Sequence, residues 1–277
     1  MKIYFVILHY QSLEETIACI ESIQRNYNNV NIVIIDNNSP NGSGKKLLNK
    51  YNNINNIVVL LLDNNYGFAK GNNIGYQYAK KKGADFIIQV NNDTIFDDQG
   101  FIYTLIMLYE KEQYAVLGPD VICLKDGRHQ NPMNGFKINK KNIFWKIIKN
   151  QIGYALSIFN LDNKIKKESI YQPDWKEFIN ISNTPDKVLQ GCCYIFSRKY
   201  IDALDGMFEG TFMYYEEYIL DYICRKKSLK MVYSPKLSLK HLRKAATTSI
   251  VKREKEKRQF KYKHSIKSLK AFYRKYL

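Results

Sequence analysis

The sequence predicts an α/β fold built on a mostly parallel sheet flanked by helices. Through the first 120 residues, apolar runs of four to six residues rich in β-branched side chains alternate with stretches of helical spacing. That alternation is the pattern of βαβ units. The runs end in polar clusters, His9-Tyr10, Asp36-Asn37-Asn38, Asp63-Asn64-Asn65 and Asn91-Asn92-Asp93. Open parallel sheets collect ligands beyond the carboxyl ends of their strands. Loops are polar in any case, which explains one such cluster better than a series rich in acids and amides. Finally, 45% of the 277 residues are hydrophobic, enough to bury a core and to exclude disorder along the whole chain.

The elements follow in order. Residues 3–8 form the first strand, and Ser12-Leu13-Glu14-Glu15 is a capping box opening a helix to about residue 25. Residues 32–35 make the second strand, ending at Asp36, and 37–42 have loop chemistry. A helix over 44–51 leads to a strand at 57–62, and a polar loop leads to a helix over 72–82. Gly83 stops that helix as its C′ residue. Residues 86–90 are the fourth strand, 98–111 a helix and 115–117 another strand. Residues 125–186, which carry Trp145 and Trp175, read as a variable, partly helical excursion. Regular structure returns with a strand-like run at 188–197, a helix over 216–227 and a strand at 231–233.

The charge is uneven. The chain carries 43 Lys+Arg against 26 Asp+Glu, net +17, and residues 225–277 hold 19 basic and 2 acidic residues, again +17. Such a block seeks a polyanion. Tyr262, Ile266, Leu269, Tyr273 and Tyr276 recur at steps of four and three between lysines, so 250–277 reads as a basic amphipathic helix. It can dock its apolar stripe on the core or lie on anionic lipid. Nucleic acid is the less favoured polyanion, because no nucleic-acid module accompanies the charge. The longest apolar run, IVVLLL at 57–62, is far short of the roughly 20 residues a spanning helix needs. The opening MKIYFVILHY meets His9, Gln11 and two glutamates without a small-residue cleavage site, against a signal peptide. Five scattered cysteines without a CxxC pair suit reduced thiols and a cytoplasmic setting.

Several chemistries lack their motif. No GxGxxG follows the first strand, Gly42-Ser43-Gly44-Lys45-Lys46 lacks the P-loop frame, and there is no GxSxG or zinc spacing. What remains is carboxylates, amides and a histidine. Asn91 and Asp93, two apart on a strand, are predicted to point the same way and offer oxygens to a hard divalent cation and a diphosphate. Glu216-Glu217 follow the run Phe212-Met213-Tyr214-Tyr215, and a carboxylate against aromatic surface can have its pKa raised and act as a base. Acids opening a helix also interact with its dipole, which accounts for one of the two more readily than for both.

These residues resemble a family, the family 2 glycosyltransferases of GT-A fold, especially the rhamnosyl- and hexosyltransferase-like members that build bacterial surface polysaccharides such as capsule and lipopolysaccharide. The resemblance covers about 2–120 and 188–248. Residues 6–10 look like the first strand and nucleotide loop, and 33–39 (VIIDNNS) like the "VVDNxS" segment. Residues 65–75 (NYGFAKGNNIG) are very similar to "NxGFAxGNNxG", and 90–94 (VNNDT) resemble a DxD-type metal motif whose first acid is here Asn91. Residues 212–217 (FMYYEE) resemble "FLYxED", and His241, followed by Thr247-Thr248-Ser249, resembles the late metal-site histidine.

The resemblance implies a donor half (1–120), an acceptor and catalytic half (121–249) and the tail helix. It implies a UDP- or dTDP-sugar held by His9, Tyr10, Asp36, Asn38, Asn65, Gly67, Phe68, Asn72, Asn73, Asn91, Asn92, Asp93, Gln190 and Gly191. It implies Mg²⁺ or Mn²⁺ on Asp93 with His241, and Glu216 or Glu217 as the base of an inverting transfer. The acceptor would be a glycan or a polyprenyl-linked chain, and the enzyme would sit peripherally on the inner membrane face, with oligomers open. Two other readings compete. A sugar nucleotidyltransferase would carry a Gly-rich basic loop where His9-Tyr10-Gln11-Ser12 stands. A non-catalytic nucleotide-fold protein binding membrane or nucleic acid would not need the acids at the strand ends.

Overall fold

The computed structural model describes residues 1–164, 176–242 and 253–277, and the statements below concern those residues. Trp175 and Thr247-Thr248-Ser249 lie outside them.

β1 (Ile3–His9) is buried on both faces, as a strand in a doubly covered sheet must be. Its alternation divides two cores. Ile3, Phe5 and Ile7 join Ile20, Ile32, Ile34, Ile88 and Phe101 on one side, and Tyr4 and Val6 join Val33, Ile35, Tyr76 and Ile87 on the other. On β1 lie β2 (Val30–Asp36) and β4 (Phe86–Asn91), both parallel to it, and β3 (Ile57–Leu61) extends the edge parallel to β2. Ser12 is the N-cap of α1 (Leu13–Asn26), and α2 (Ser43–Tyr51) precedes β3.

α3 (Phe68–Lys81) starts one turn earlier than predicted. The run FAKG at 68–71 reads as a loop, but Gly71 and Gly75 lie against the sheet. A Cβ on Gly71 would approach Leu8 Cδ1 to 2.8 Å, and one on Gly75 would approach Val6 Cγ1 to 2.6 Å. Their absence lets the helix settle close to the strands. Gly83 ends it at φ +75, with its N–H on the Lys80 carbonyl and the Ala84 N–H on that of Ala79.

The sheet order is β3-β2-β1-β4-β10-β6-β11-β5, with β8 (Ile179–Asn180) also on β11. β10 (Cys193–Ser197) runs antiparallel between β4 and β6 (Val116–Cys123), while β11 (Met231–His241) is parallel to β6. β5 (Thr94–Ile95) pairs antiparallel with the end of β11. β6 and β11 outrun the predicted stops. Pro119 and Pro235 look like breakers, but the β6–β11 pairing slips register between Ser234 and Ser238 and absorbs Pro235 there. The continuation of β11 delivers His241.

Residues 125–186 hold a small ribbon of β7 (Met133–Asn134) with β9 (Lys187–Val188) and one long helix, α5 (Lys140–Ile158). The remaining helices are α4 (Phe101–Glu112), α6 (Arg198–Ala203), α7 (Glu216–Lys226) and the tail helix α8 (Glu254–Tyr276). α8 docks its stripe inward. Leu269 and Phe272, with Ile266, Tyr273 and Tyr276 beside them, pack on Ile143 and Ile147 of α5 and Ile219 and Ile223 of α7. The apolar stripe is therefore consumed inside the molecule, the first of the two readings of this helix, and is not available to lie on lipid.

Candidate active site

A cleft of about 560 Å³ opens over the carboxyl ends of β1 and β4. It brings together Tyr10, Asn65, Gly67, Phe68, Asn91, Asn92, Asp93, Gln190, Gly191, Glu216, Glu217 and His241. Most of the residues predicted for the site thus converge from distant segments.

The β4 end does not work as strand alternation predicts. β4 stops at Asn91, and the chain turns through Asn92 and Asp93 before β5. The turn, rather than a two-residue repeat, aims these side chains at the cleft. Asn92 is braced from below, its Nδ2 donating to Thr16 Oγ1 at 2.8 Å. Asp93 is 5% exposed, and its Oδ2 receives no hydrogen bond although His241 Nε2 lies 3.2 Å away. His241 Nδ1 is 2.8 Å from Gln130 Oε1, which can only accept. Nδ1 therefore carries the proton, and in the neutral ring Nε2 presents a lone pair to the carboxylate. A buried, undonated carboxylate oxygen facing a nitrogen lone pair is a cation-seeking arrangement. The residues present fit a divalent ion with two protein ligands, its other positions left to substrate and water. No group of three or more His, Cys, Asp or Glu side chains that could hold a metal occurs among the described residues.

The acid pair stands across from it. Tyr214 and Tyr215 both have φ near +73, the left-handed region that costs a non-glycine residue of order 1 kcal/mol or more. This tight turn launches α7 with Glu216 and Glu217 as its first residues. Glu216 is 6% exposed, and burial, then the neighbouring Glu217 charge, push its pKa up to about 8. One of its oxygens, Oε1, has no hydrogen-bond partner. Burial raises the Glu217 pKa too, opposed by hydrogen bonds from its own backbone and from Gly191. A Cβ on Gly191 would press to 3.0 Å from Glu217 Oε1, so glycine leaves that carboxylate its place.

A short backbone link joins the two halves. The Asn91 N–H donates to the Cys192 carbonyl at 2.9 Å, one residue beyond Gly191. Gln190 braces this turn, its Oε1 accepting from Cys192 N at 2.7 Å. Opposite, the Phe68 N–H donates to the Phe212 carbonyl at 2.7 Å, and Gly67 (φ +80) lies where a Cβ would run into that same carbonyl.

Five predicted donor residues do not face the cleft. His9 is fully buried, 2.7 Å from both Thr16 Oγ1 and Ser43 Oγ, and burial, partly opposed by Asp36, lowers its pKa to about 4. Asp36 turns toward the start of α2, accepts from Ser39 N at 3.3 Å, and fills the space a Cβ on Gly44 would take. Asn38 (φ +60) donates to the Asp63 carbonyl at 3.0 Å. Asn72 donates to the Phe68 carbonyl at 3.0 Å within α3. Asn73 bridges to the segment between α6 and α7, Nδ2 donating to the Met207 carbonyl and Oδ1 accepting the Met207 N–H, both at 2.8 Å. In this structure these side chains bond to neighbouring protein groups and do not line the cleft.

Sequence reasoning missed Asn37, Lys146, Asn150, Lys261 and Ser265, all of which line the cleft. Asn37 donates to Asn65 Oδ1 at 3.0 Å and the Gly67 carbonyl at 3.1 Å. Lys146 and Asn150, and likewise Lys261 and Ser265, are four apart on α5 and α8. That helical spacing was the available signal.

Fold and cleft define the class, an α/β protein of GT-A type with its cleft at the strand ends. The chain belongs to glycosyl transferase family 2, whose family model matches residues 4–202. Among solved structures it is similar to S. aureus TarS 1-349 in complex with UDP-GlcNAc, with 16% identity and a TM-score of 0.55 over 89% of this chain and 60% of that one. It is also similar to GalNAc-T7 with UDP, GalNAc and Mn²⁺, with 14% identity and a TM-score of 0.62 over 87% of this chain and 44% of that one. The chain thus spans less than two thirds of either neighbour. No curated protein matches the sequence.

Proposed function

We propose that this chain is an inverting glycosyltransferase that moves a hexosyl or rhamnosyl unit from a UDP- or dTDP-sugar to a hydroxyl of a growing, lipid-linked surface polysaccharide. The observation that carries the reading is the single cleft in which the Asp93–His241 pair and the Glu216–Glu217 pair meet. Asp93 and His241 would hold Mg²⁺ or Mn²⁺, which when bound supplies positive charge to a departing diphosphate. Tyr10, Asn65 and Asn91 offer polar contacts for the nucleotide end of the donor.

Glu217 is the base of this reading. Burial and the neighbouring Glu217 charge let Glu216 hold its proton to about pH 8. In this reading the protonated Glu216 removes one of two adjacent negative charges, and Glu217 is the carboxylate facing the acceptor. Glu217 takes the proton from the acceptor hydroxyl as its oxygen attacks the anomeric carbon, and the diphosphate leaves from the opposite face. One displacement inverts the configuration and leaves no sugar on the protein. Lys146, Asn150, Lys261 and Ser265 wall the cleft from α5 and α8, a region suited to the acceptor. The strong positive charge of the C-terminal section suits a peripheral position on the inner, anionic membrane face.

A donor screen tests the reading. UDP-, dTDP- and GDP-sugars are offered with and without Mn²⁺, and thermal shift and slow donor hydrolysis are recorded. Cation-dependent stabilisation and hydrolysis with one donor class are expected. A chain that neither binds nor hydrolyses any of them is not this enzyme.

A further inference from the structure

We propose that the outward face of α5 is the surface on which this protein rests against an anionic lipid bilayer. α5 buries Ile143, Ile147, Gly153 and Ser157 toward α8 and the core. The far side of the helix should then be polar. Instead Trp145, Ile152 and the C-cap residue Phe159, successively seven residues apart, stand 59%, 55% and 74% exposed along it, with Phe144, 51% exposed, flanking Trp145 at 6.0 Å between ring centroids. Large apolar side chains exposed in such number on one helix face mark an interaction surface.

Charge names the occupant. Residues 140–161 contain four lysines and no acidic residue. α8, packed along the inner side of α5, belongs to the section with 19 basic and 2 acidic residues. A second copy would bring the same +17 and repel it. No helix among the described residues is long and apolar enough to cross a membrane, so the strip lies on a bilayer rather than through it. Apolar aromatics on a helix that also carries Lys140, Lys141 and Lys149 away from the cleft are what an anionic interface accepts, with Trp at headgroup depth.

The placement deepens the reading of the acceptor as lipid-borne, on which its purpose rests. Lys146 and Asn150, on other faces of the same helix, line the cleft. A bilayer under α5 would bring the cleft beside the lipid that carries the acceptor.

The test uses the full chain and the double variant I152E/F159E. Both positions are more than half exposed, so the fold should survive, and unchanged melting confirms it. Co-sedimentation with phosphatidylcholine vesicles containing a quarter phosphatidylglycerol should bind the parent chain and weaken as salt rises. The variant should bind about tenfold less or weaker still. Donor hydrolysis in lipid-free buffer should be equal for both. A variant that binds these vesicles as well as the parent, or a parent indifferent to phosphatidylglycerol, overturns the proposal. So does a concentration-dependent dimer that the variant abolishes, which would make the occupant a second copy. Loss of hydrolysis in both chains would count against the transferase reading and leave the vesicle result standing.

Discussion

The Gly67 backbone lies directly against that of Phe212, and the next residue, Phe68, donates its N–H to the Phe212 carbonyl at 2.7 Å. This contact locks the loop before α3 to the turn that launches Glu216 and Glu217. Gly67→Ala would meet both a left-handed φ and a collision with backbone. We expect a loss of about 2 kcal/mol or more in stability, measured by urea unfolding. Surviving protein should have lower transfer, because the acid-bearing turn is displaced.

The two glutamates should separate by their roles. Glu217→Gln should lower transfer by about 10²-fold or more, as removal of a general base does. Glu216→Gln keeps a neutral, hydrogen-bonding group where the acid is already protonated below about pH 8, and should retain most activity near neutrality. Near-normal rates for Glu217→Gln with a collapse for Glu216→Gln would reverse the assignment.

Cation binding should depend on the Asp93–His241 pair. Asp93→Ala should abolish the Mn²⁺-dependent thermal shift in the presence of UDP and reduce transfer by about 10²-fold. His241→Ala should weaken the Mn²⁺ shift without abolishing it, since Asp93 remains. Chelation of the parent chain should reproduce the Asp93→Ala phenotype, and full activity after chelation would remove the cation from the mechanism.

Stability should respond to pH through two buried groups of opposite sign. His9 has its folded pKa lowered to about 4 from 6.5, so between those values the unfolded chain binds more protons. Stability should therefore fall as pH drops from about 6.5 to 4, by on the order of 3 kcal/mol. Glu216 has its folded pKa raised to about 8 from 4.5, so the folded chain binds more protons across that range. Its contribution is intact below 4.5 and is lost as pH rises through 8. Glu216→Gln should consequently raise the melting temperature relative to the parent at pH 8.5 and change it little at pH 4.5.

Much of this protein was legible in its sequence because the signals are local. Strand alternation, the Gly83 stop and the alternating helices fix the α/β class, since each depends on neighbours in the chain. The clusters at residues 65–68, 91–93 and 216–217 were also legible, because each lies in a short contiguous string that matches a motif of the glycosyltransferase family.

The tertiary structure alone decided which polar residues face the cleft. His9 and Asp36 sit at strand ends like Asn91, yet they turn into the α1–α2 packing, because their partners Thr16, Ser43 and Gly44 come from helices no local pattern places there. It also decided that the stripe of α8 is spent on α5 and α7, leaving α5 with the exposed apolar side. An amphipathic period shows that a helix has a face to bury. Which element covers that face depends on contacts between segments from about fifty to more than a hundred residues apart, and those exist only once the chain has folded.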